Sequence, residues 1–364
     1  MRRSLLLTLV LCCAAPLFSA LPPLSERLAA FFRGWYAHIP GSEVVVTPTR
    51  DVVLPGLEAF RVERHSRSKA YQESTVVLYD AASGEIFVGD AFQDPGRAGG
   101  RRMFEAGSDL PNMETALREA FGLPVRVEVK TPARGALKPL KVLVSQEKEG
   151  DAFVSRAGFV SNDGSTLMLG EFHPLSENPA AFRERLLGQS PGVRGEQARF
   201  TVTEFLDFQC ERCRVRTPDV RRAVAEKGGT VEIRFLPLVR QHAWAFAAAE
   251  SAAALAGVGL ELYHRYEESV FARAEGMNAA AARELAADIA DASGAREAYN
   301  AEIASGRARG RVLRDISLAQ RLGVMGTPSF LFRGTLLPGE KGVLEDYLFV
   351  SLPAAPGRTA TPAP

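Results

Sequence analysis

Cys210 and Cys213 stand two residues apart in "DFQCERCRVR" (207–216), in a chain with only four cysteines. The other two, Cys12 and Cys13, are adjacent near the N-terminus, in a segment that reads as removable. A Cys-x-x-Cys pair can exchange disulfides, supply half of a zinc site, or close a small structural bridge. The bridge is the weakest of the three, because stabilisation by loop closure falls with loop length and this loop is tiny. Zinc needs four ligands in a structural site. No second Cys-x-x-Cys occurs and no closely spaced His pair follows; His38, His65, His173, His242 and His264 are isolated. The pattern therefore favours redox chemistry, with no metal and no flavin or nicotinamide: the thiol pair is its own cofactor.

That chemistry needs particular elements around it. Phe200 to Phe208 reads as a buried strand, Arg212 to Lys227 as a helix closed by Gly228-Gly229, and Thr230 to Leu236 as a second strand. Cys210 then falls at a helix N-terminus, where unpaired N–H groups and the helix dipole favour a thiolate, the attacking species in disulfide exchange. Cys213, one turn on and further inside, is placed to attack a mixed disulfide and release the substrate. Between them, Glu211 and Arg212 are the candidate tuning residues. Arg212 and Arg214 favour the thiolate and Glu211 opposes it, so the signs conflict. About 30 mV corresponds to about 1.4 kcal/mol in this couple, so one side chain can reverse the direction of electron flow. Alternation along the strand puts Glu204 and Asp207 on opposite faces, and a central strand is expected to turn one of them inward. An alanine-rich stretch, 242–322, carries several helical stripes. His242 is expected to mark a helix start and His264 a helix flank. Thr327-Pro328 opens a hairpin over 329–337, and Glu340 to Val350 reads as a last helix.

Residues 199–350 resemble a DsbA-type thioredoxin-fold protein, the branch with a helical domain inserted in the fold. The resemblance rests on "EFLDFQCERC" (204–213), "HAWAFAAAESAAALA" (242–256) and "GVMGTPSFLFRG" (323–334). It implies that Cys210 is the nucleophile, Cys213 the resolving thiol and Glu204 the buried acid that relays a proton. It also implies that Thr327 and Pro328 form a cis-proline loop whose backbone pairs with an extended substrate. Glu211-Arg212 replaces the Pro-His of the strong oxidants in that family.

The rest of the chain frames this domain. Residues 1–20 read as a signal peptide: Arg2 and Arg3, then an apolar run too short for a membrane span, then Ser19-Ala20. Residues 21–188 read as an α+β region in which a unit recurs, about 24–95 and 112–178. "GLEAFRV" (56–62) is similar to "ALKPLKV" (136–142), and "SGEIFVGDAF" (83–92) to "DGSTLMLGEF" (163–172), both at an offset of 80. This unit resembles the small dimerisation domain of DsbC/DsbG-type isomerases. Two copies in one chain suggest a monomer with an internal pseudo-dimer, with a homodimer as the alternative. Residues 189–197 read as a linker, 198–350 as the catalytic domain with its helical insertion at 242–322, and 351–364 as a disordered tail. "RAGGRR" (97–102) reads as a solvated loop.

The expected fold class is α/β: a thioredoxin fold with an inserted helical domain, preceded by two repeated small modules. A net charge of +1 gives no reason to expect nucleic acid as a partner. The functional expectation is a periplasmic or otherwise extracytoplasmic thiol-disulfide oxidoreductase. Its substrates are cysteine-containing exported proteins, and a redox partner recycles the pair. Oxidase is weighted first and isomerase or reductase second. The rival of another class is a non-catalytic, chaperone-like binding protein whose cysteines only stabilise the fold.

Overall fold

The computed structural model describes residues 21–66, 72–93, 110–147, 152–162, 164, 166–195 and 198–352. The signal-peptide and "RAGGRR" readings, and the tail reading beyond residue 352, lie outside them.

Two helix-plus-four-strand arrays come first. One is α1 (Leu24–Trp35) with β1 (Ser42–Pro48), β2 (Glu58–Ser66), β3 (Gln72–Asp80) and β4 (Glu85–Gln93). The other is α2 (Leu110–Phe121) with β5 (Val125–Val129), β6 (Leu137–Ser145), β7 (Phe153–Ser161) and β8 (Thr166–Pro174). They share one antiparallel sheet in the order β1-β2-β3-β4-β8-β7-β6-β5, a mirror-like sequence of strands about the β4–β8 seam. The quoted similar segments occupy corresponding places: Leu57 bridges back to Leu54, and Leu137 to Arg134. Gly84 and Gly164 both turn with φ near +70° (70° and 69°). At the middle of the seam Gly89 pairs with Gly170. A Cβ on Gly89 would overlap the Leu169 carbonyl, and one on Gly170 would overlap the Val88 carbonyl. Only glycine lets the two strands approach so closely.

After α3 (Pro179–Leu187) comes a four-stranded sheet in the order β10-β9-β11-β12. Here β9 is Thr201–Leu206, β10 Thr230–Phe235, β11 Ser329–Phe332 and β12 Thr335–Pro338. β9 runs parallel to β10 and antiparallel to β11. The helix α4 (Glu211–Glu226) follows β9, and α10 (Val343–Ser351) closes the chain of elements. Arg333 and Gly334 supply two left-handed residues, φ 49° and 69°, the geometry of a two-residue hairpin.

Between β10 and β11 lie five helices: α5 (Ala245–Val258), α6 (Leu260–Ala272), α7 (Ala279–Ala292), α8 (Arg296–Ala304) and α9 (Arg307–Arg321). α5 is buried on every side from Ala245 to Leu255 and touches the other four. Its alanines explain this: a helix that is apolar all round belongs inside, and small side chains let neighbours approach closely. Among the described residues, no helix is long and apolar enough to cross a membrane.

The two regions are fastened together. One hydrophobic core runs from Phe31, Phe32 and Trp35 of α1 to Phe208, Phe235 and the inserted helices. Within the expected linker, the described residues 189–195 are pinned rather than loose: Val193 is buried and exchanges backbone hydrogen bonds with Ile233 at 3.0 and 2.7 Å. Arg183 is fully buried and donates to Leu322 O (3.0 Å), Gly34 O (2.8 Å), Gly334 O (3.3 Å) and Trp35 O.

Candidate active site

β9 is covered on both faces, and its residues from Val202 to Leu206 are buried. The expectation that one of the two acids faces inward is corrected here: Glu204 and Asp207 are both buried. The alternation argument fails at Asp207 because the strand ends at Leu206. Asp207 opens a turn instead. Its Oδ1 accepts from Gln209 N at 2.8 Å, and its backbone O accepts from Cys210 N at 3.1 Å. This side-chain-closed turn aims the chain from strand to helix. It leaves Cys210 as the N-cap of α4, with extended backbone (φ −77°, ψ 116°).

Cys210 and Cys213 are free thiols and both are buried. The Cys210 thiol donates to Thr327 O at 3.4 Å, so the active-site helix meets the loop ahead of β11 at the sulfur. The Thr327–Pro328 peptide bond is cis. The Cys210 pKa is lowered from 9.0 to about 5, chiefly by a hydrogen bond from Cys213, with Thr327 and the Cys213 backbone N–H adding to it against burial. Thr327 Oγ1 has no hydrogen-bond partner while Cys210 is a thiol, so its hydroxyl is free to turn to the thiolate. Cys213 moves the other way, well above its ordinary value, because burial and the Cys210 charge both oppose a second thiolate. The two sulfurs are thereby differentiated: one is ready to attack, and the other waits until it loses its proton.

Glu204 lies beneath them. Thr217 of α4 donates to its Oε1 at 2.6 Å, while Oε2 has no partner. Burial raises its pKa to about 7. Its negative charge in turn helps to hold the Cys213 pKa up. Behind it Arg221 is paired bidentately with Glu267 of α6, which also accepts from Tyr263 at 2.7 Å.

Glu211 and Arg212 are placed differently. Glu211 is paired with Arg214, and Arg212 with Glu340 at 3.3 Å, all four being solvent-exposed. Their charges are spent on each other in high dielectric, where such pairs are worth little. The buried groups around Cys210 set its acidity.

Two residues outside the sequence-based set belong to the site. His242 does not cap a helix, since α5 starts at Ala245. Its Nδ1 lies 2.7 Å from Asp207 Oδ2, which also accepts from Leu238 N at 2.8 Å. Both residues stand in the segments quoted for the family resemblance, and an acid next to the motif was the available signal. Gln209 Oε1 ties the same turn to Trp244 N at 2.9 Å. Among the described residues, no three His, Cys, Asp or Glu side chains group as a metal ion requires.

Residues 191–343 match a sequence-family model described as Thioredoxin. With the β10-β9-β11-β12 sheet, this makes the chain a mixed α/β protein with a thioredoxin-like domain. A curated relative is an Na(+)/H(+) antiporter, NhaA 3, from Salinispora tropica, 29% identical over 176 residues. The match spans 43% of this chain and only about a quarter (26%) of the antiporter's length. Similar solved structures include the thiol-disulfide exchange protein alpha-DsbA2 from Wolbachia pipientis, at 18% identity and TM-score 0.36, covering 44% of this chain and 90% of that one. The catalytic domain of Proteus mirabilis ScsC has 16% identity and TM-score 0.39, covering 47% and 93%. Oxidised BdbD from Bacillus subtilis has 17% identity and TM-score 0.35, covering 45% and 92%.

Proposed function

We propose that this chain is a thiol-disulfide oxidoreductase acting on cysteines of exported proteins. The carrying observation is the placement of its two thiols: Cys210, the N-cap of α4, meets Thr327 O at 3.4 Å with its pKa lowered to about 5, and Cys213 is fully buried with its pKa raised. Cys210 exchanges with the substrate sulfur. In the oxidase direction the Cys210–Cys213 bond breaks as the substrate sulfur attacks Cys210, and Cys213 leaves with the electron pair and is protonated by way of Glu204; in the reductase direction Cys213, deprotonated towards Glu204, closes the bridge and releases the substrate. Thr327 and Pro328 present backbone to the extended substrate chain. A redox partner recycles the pair.

Oxidase is the favoured direction. A thiolate stabilised in the reduced protein makes the reduced form the stable one, so the disulfide form tends to take electrons. Isomerase or reductase is the second reading, favoured by the eight-stranded platform. Its two four-stranded arrays meet at β4–β8 within one chain, in keeping with a DsbC-like pair of modules internalised as a pseudo-dimer. The protein then acts as a monomer, outside the cytoplasm once residues 1–20 are cleaved.

Equilibration of the folded protein with reduced and oxidised glutathione tests this. A potential near about −120 mV supports the oxidase, and one near about −270 mV the reductase or isomerase. A bridge that glutathione cannot open in the folded protein overturns both and leaves a binding protein. Sedimentation of a dimer at low concentration overturns the internal pseudo-dimer.

A further inference from the structure

His242 and Cys210 are tied to the same residue. Asp207 accepts the Cys210 N–H through its backbone oxygen at 3.1 Å and the His242 ring through Oδ2 at 2.7 Å. The carboxylate is buried and takes two further backbone N–H bonds, from Gln209 and Leu238, so it cannot swing away. An ionised carboxylate only accepts, so Nδ1 of His242 carries the hydrogen and Nε2 is the nitrogen that gains and loses a proton. The imidazole is the partly exposed member, with 22% of its side chain accessible, at the end of a segment that starts in the core. The two titratable groups that act on it are Asp207 and Cys210, and both favour the imidazolium against its partial burial. Arg240, two residues before, is turned to Ala120 O and the Phe121 ring.

We propose that His242, oriented by Asp207, is the acid–base partner of Cys210 in disulfide exchange. The proposal rests on the oxidoreductase reading and names the group that handles the substrate's proton. When the Cys210 thiolate attacks a disulfide, a bond forms between its sulfur and one substrate sulfur. The substrate S–S bond breaks, and the second sulfur leaves with the electron pair. The Nε2 proton of the imidazolium goes to that leaving thiolate. In the opposite direction, a substrate thiol gives its proton to neutral His242 as its sulfur attacks Cys210 of the Cys210–Cys213 disulfide; that S–S bond breaks, and Cys213 leaves with the electron pair and takes its proton by way of Glu204. No external oxidant or reductant enters either step. Glu204 serves the buried sulfur and His242 the outer one, so each sulfur has its own proton carrier.

Two reagents separate this role from simple thiolate stabilisation. Reduced protein is reacted with oxidised glutathione and with iodoacetamide from about pH 4 to about pH 9. Iodide leaves without a proton, so alkylation rises through the Cys210 titration near 5 and stays high. Reaction with glutathione disulfide rises on the same limb and falls again as His242 deprotonates, above its ordinary value of 6.5. In His242→Asn the falling limb disappears and the maximal rate with glutathione disulfide drops about 10²-fold, the lower end of general-acid contributions. His242→Lys keeps a cation and carries the falling limb far to the alkaline side. Identical disulfide profiles in wild type and both variants overturn the proposal. A measurement on the wild type needs no variant: the NMR titration of His242 shifts to lower pH when Cys210 is alkylated, because the thiolate charge is gone. An unchanged His242 titration overturns the pairing. Glutathione disulfide that is never opened by wild type at any pH instead sinks the oxidoreductase reading, while the His242 titration still reports on the pair.

Discussion

The Thr217 hydroxyl donates to Glu204 Oε1 at 2.6 Å, and the second oxygen of that carboxyl has no partner. One oxygen is fixed and the other is free to hold a proton, in a position where burial outweighs the nearby arginines. A carboxyl kept half-protonated near neutrality is suited to receive the Cys213 proton.

Replacing Glu204 by Gln tests that state through stability. Its pKa rises from 4.5 unfolded to about 7 folded, so its contribution is full below 4.5 and lost as pH rises through about 7. Wild type therefore loses about 3 kcal/mol between about pH 4.5 and about pH 8 that Glu204→Gln retains. Urea unfolding of the two reduced proteins at both pH values measures it. Parallel pH profiles refute the buried, neutral acid. Release from mixed disulfides with substrate slows in the same variant.

Cys210 has the opposite sign. Its folded pKa is depressed from 9.0 to about 5, so the stability it contributes is complete above about 9 and lost as pH falls through about 5. Between those values the reduced wild type gains on Cys210→Ser as pH rises. Thiolate ultraviolet absorbance of the reduced protein titrates with one midpoint near 5, and Cys213→Ala, which has no donor, raises that midpoint by removing the principal hydrogen bond. A midpoint unaffected by Cys213→Ala counts against the assigned cause.

The platform depends on two glycines. Gly89→Ala or Gly170→Ala drives a methyl into the opposing strand's backbone, which has no flexible side chain to give way. Each is expected to cost about 3 kcal/mol or more, in the range of severe strain mutations. Chemical denaturation measures it. A cost below about 0.5 kcal/mol, the level of ordinary surface changes, refutes the close seam.

Arg183 holds carbonyls of α1, the C-cap of α9 and the β11–β12 turn, and among the described residues no carboxylate pairs with it. Arg183→Met strands those acceptors in the core and is expected to destabilise by about 3–5 kcal/mol. Lysine cannot reproduce the fork and should rescue little. Limited proteolysis of the variant should cut near 189–197 first. Wild-type resistance in Arg183→Met removes the clamp.

Much of the site was legible in the order of the chain. Strand, Cys-x-x-Cys, helix, strand, helical block, Thr-Pro and hairpin follow one another as local periodicity and turn residues indicate, because those signals act within a few residues. The similar segments at offset 80 were visible for the same reason: each is a local strand–turn–strand pattern. Periodicity faltered where an element ended. At Asp207 the strand stops, and the residue that alternation assigns to one face becomes the buried hinge of the active-site turn.

Charge effects were legible only in part: the resemblance pointed to Glu204 and Thr327, while the dipeptide between the cysteines misled. From sequence, Glu211 and Arg212 are the charges nearest the sulfurs; in the fold both point to solvent and are matched by Arg214 and Glu340. The buried groups that act on the thiols come from elsewhere, Thr327 from the loop before β11 and Glu204 from β9, and the partly exposed His242 joins the site from 35 residues beyond Asp207. Sequence determined which reactive types exist and which element carries each. Only the tertiary structure decided which of them meet in a dry site, because Coulomb and hydrogen-bond energies depend on distance and dielectric, and neither is a property of spacing along the chain.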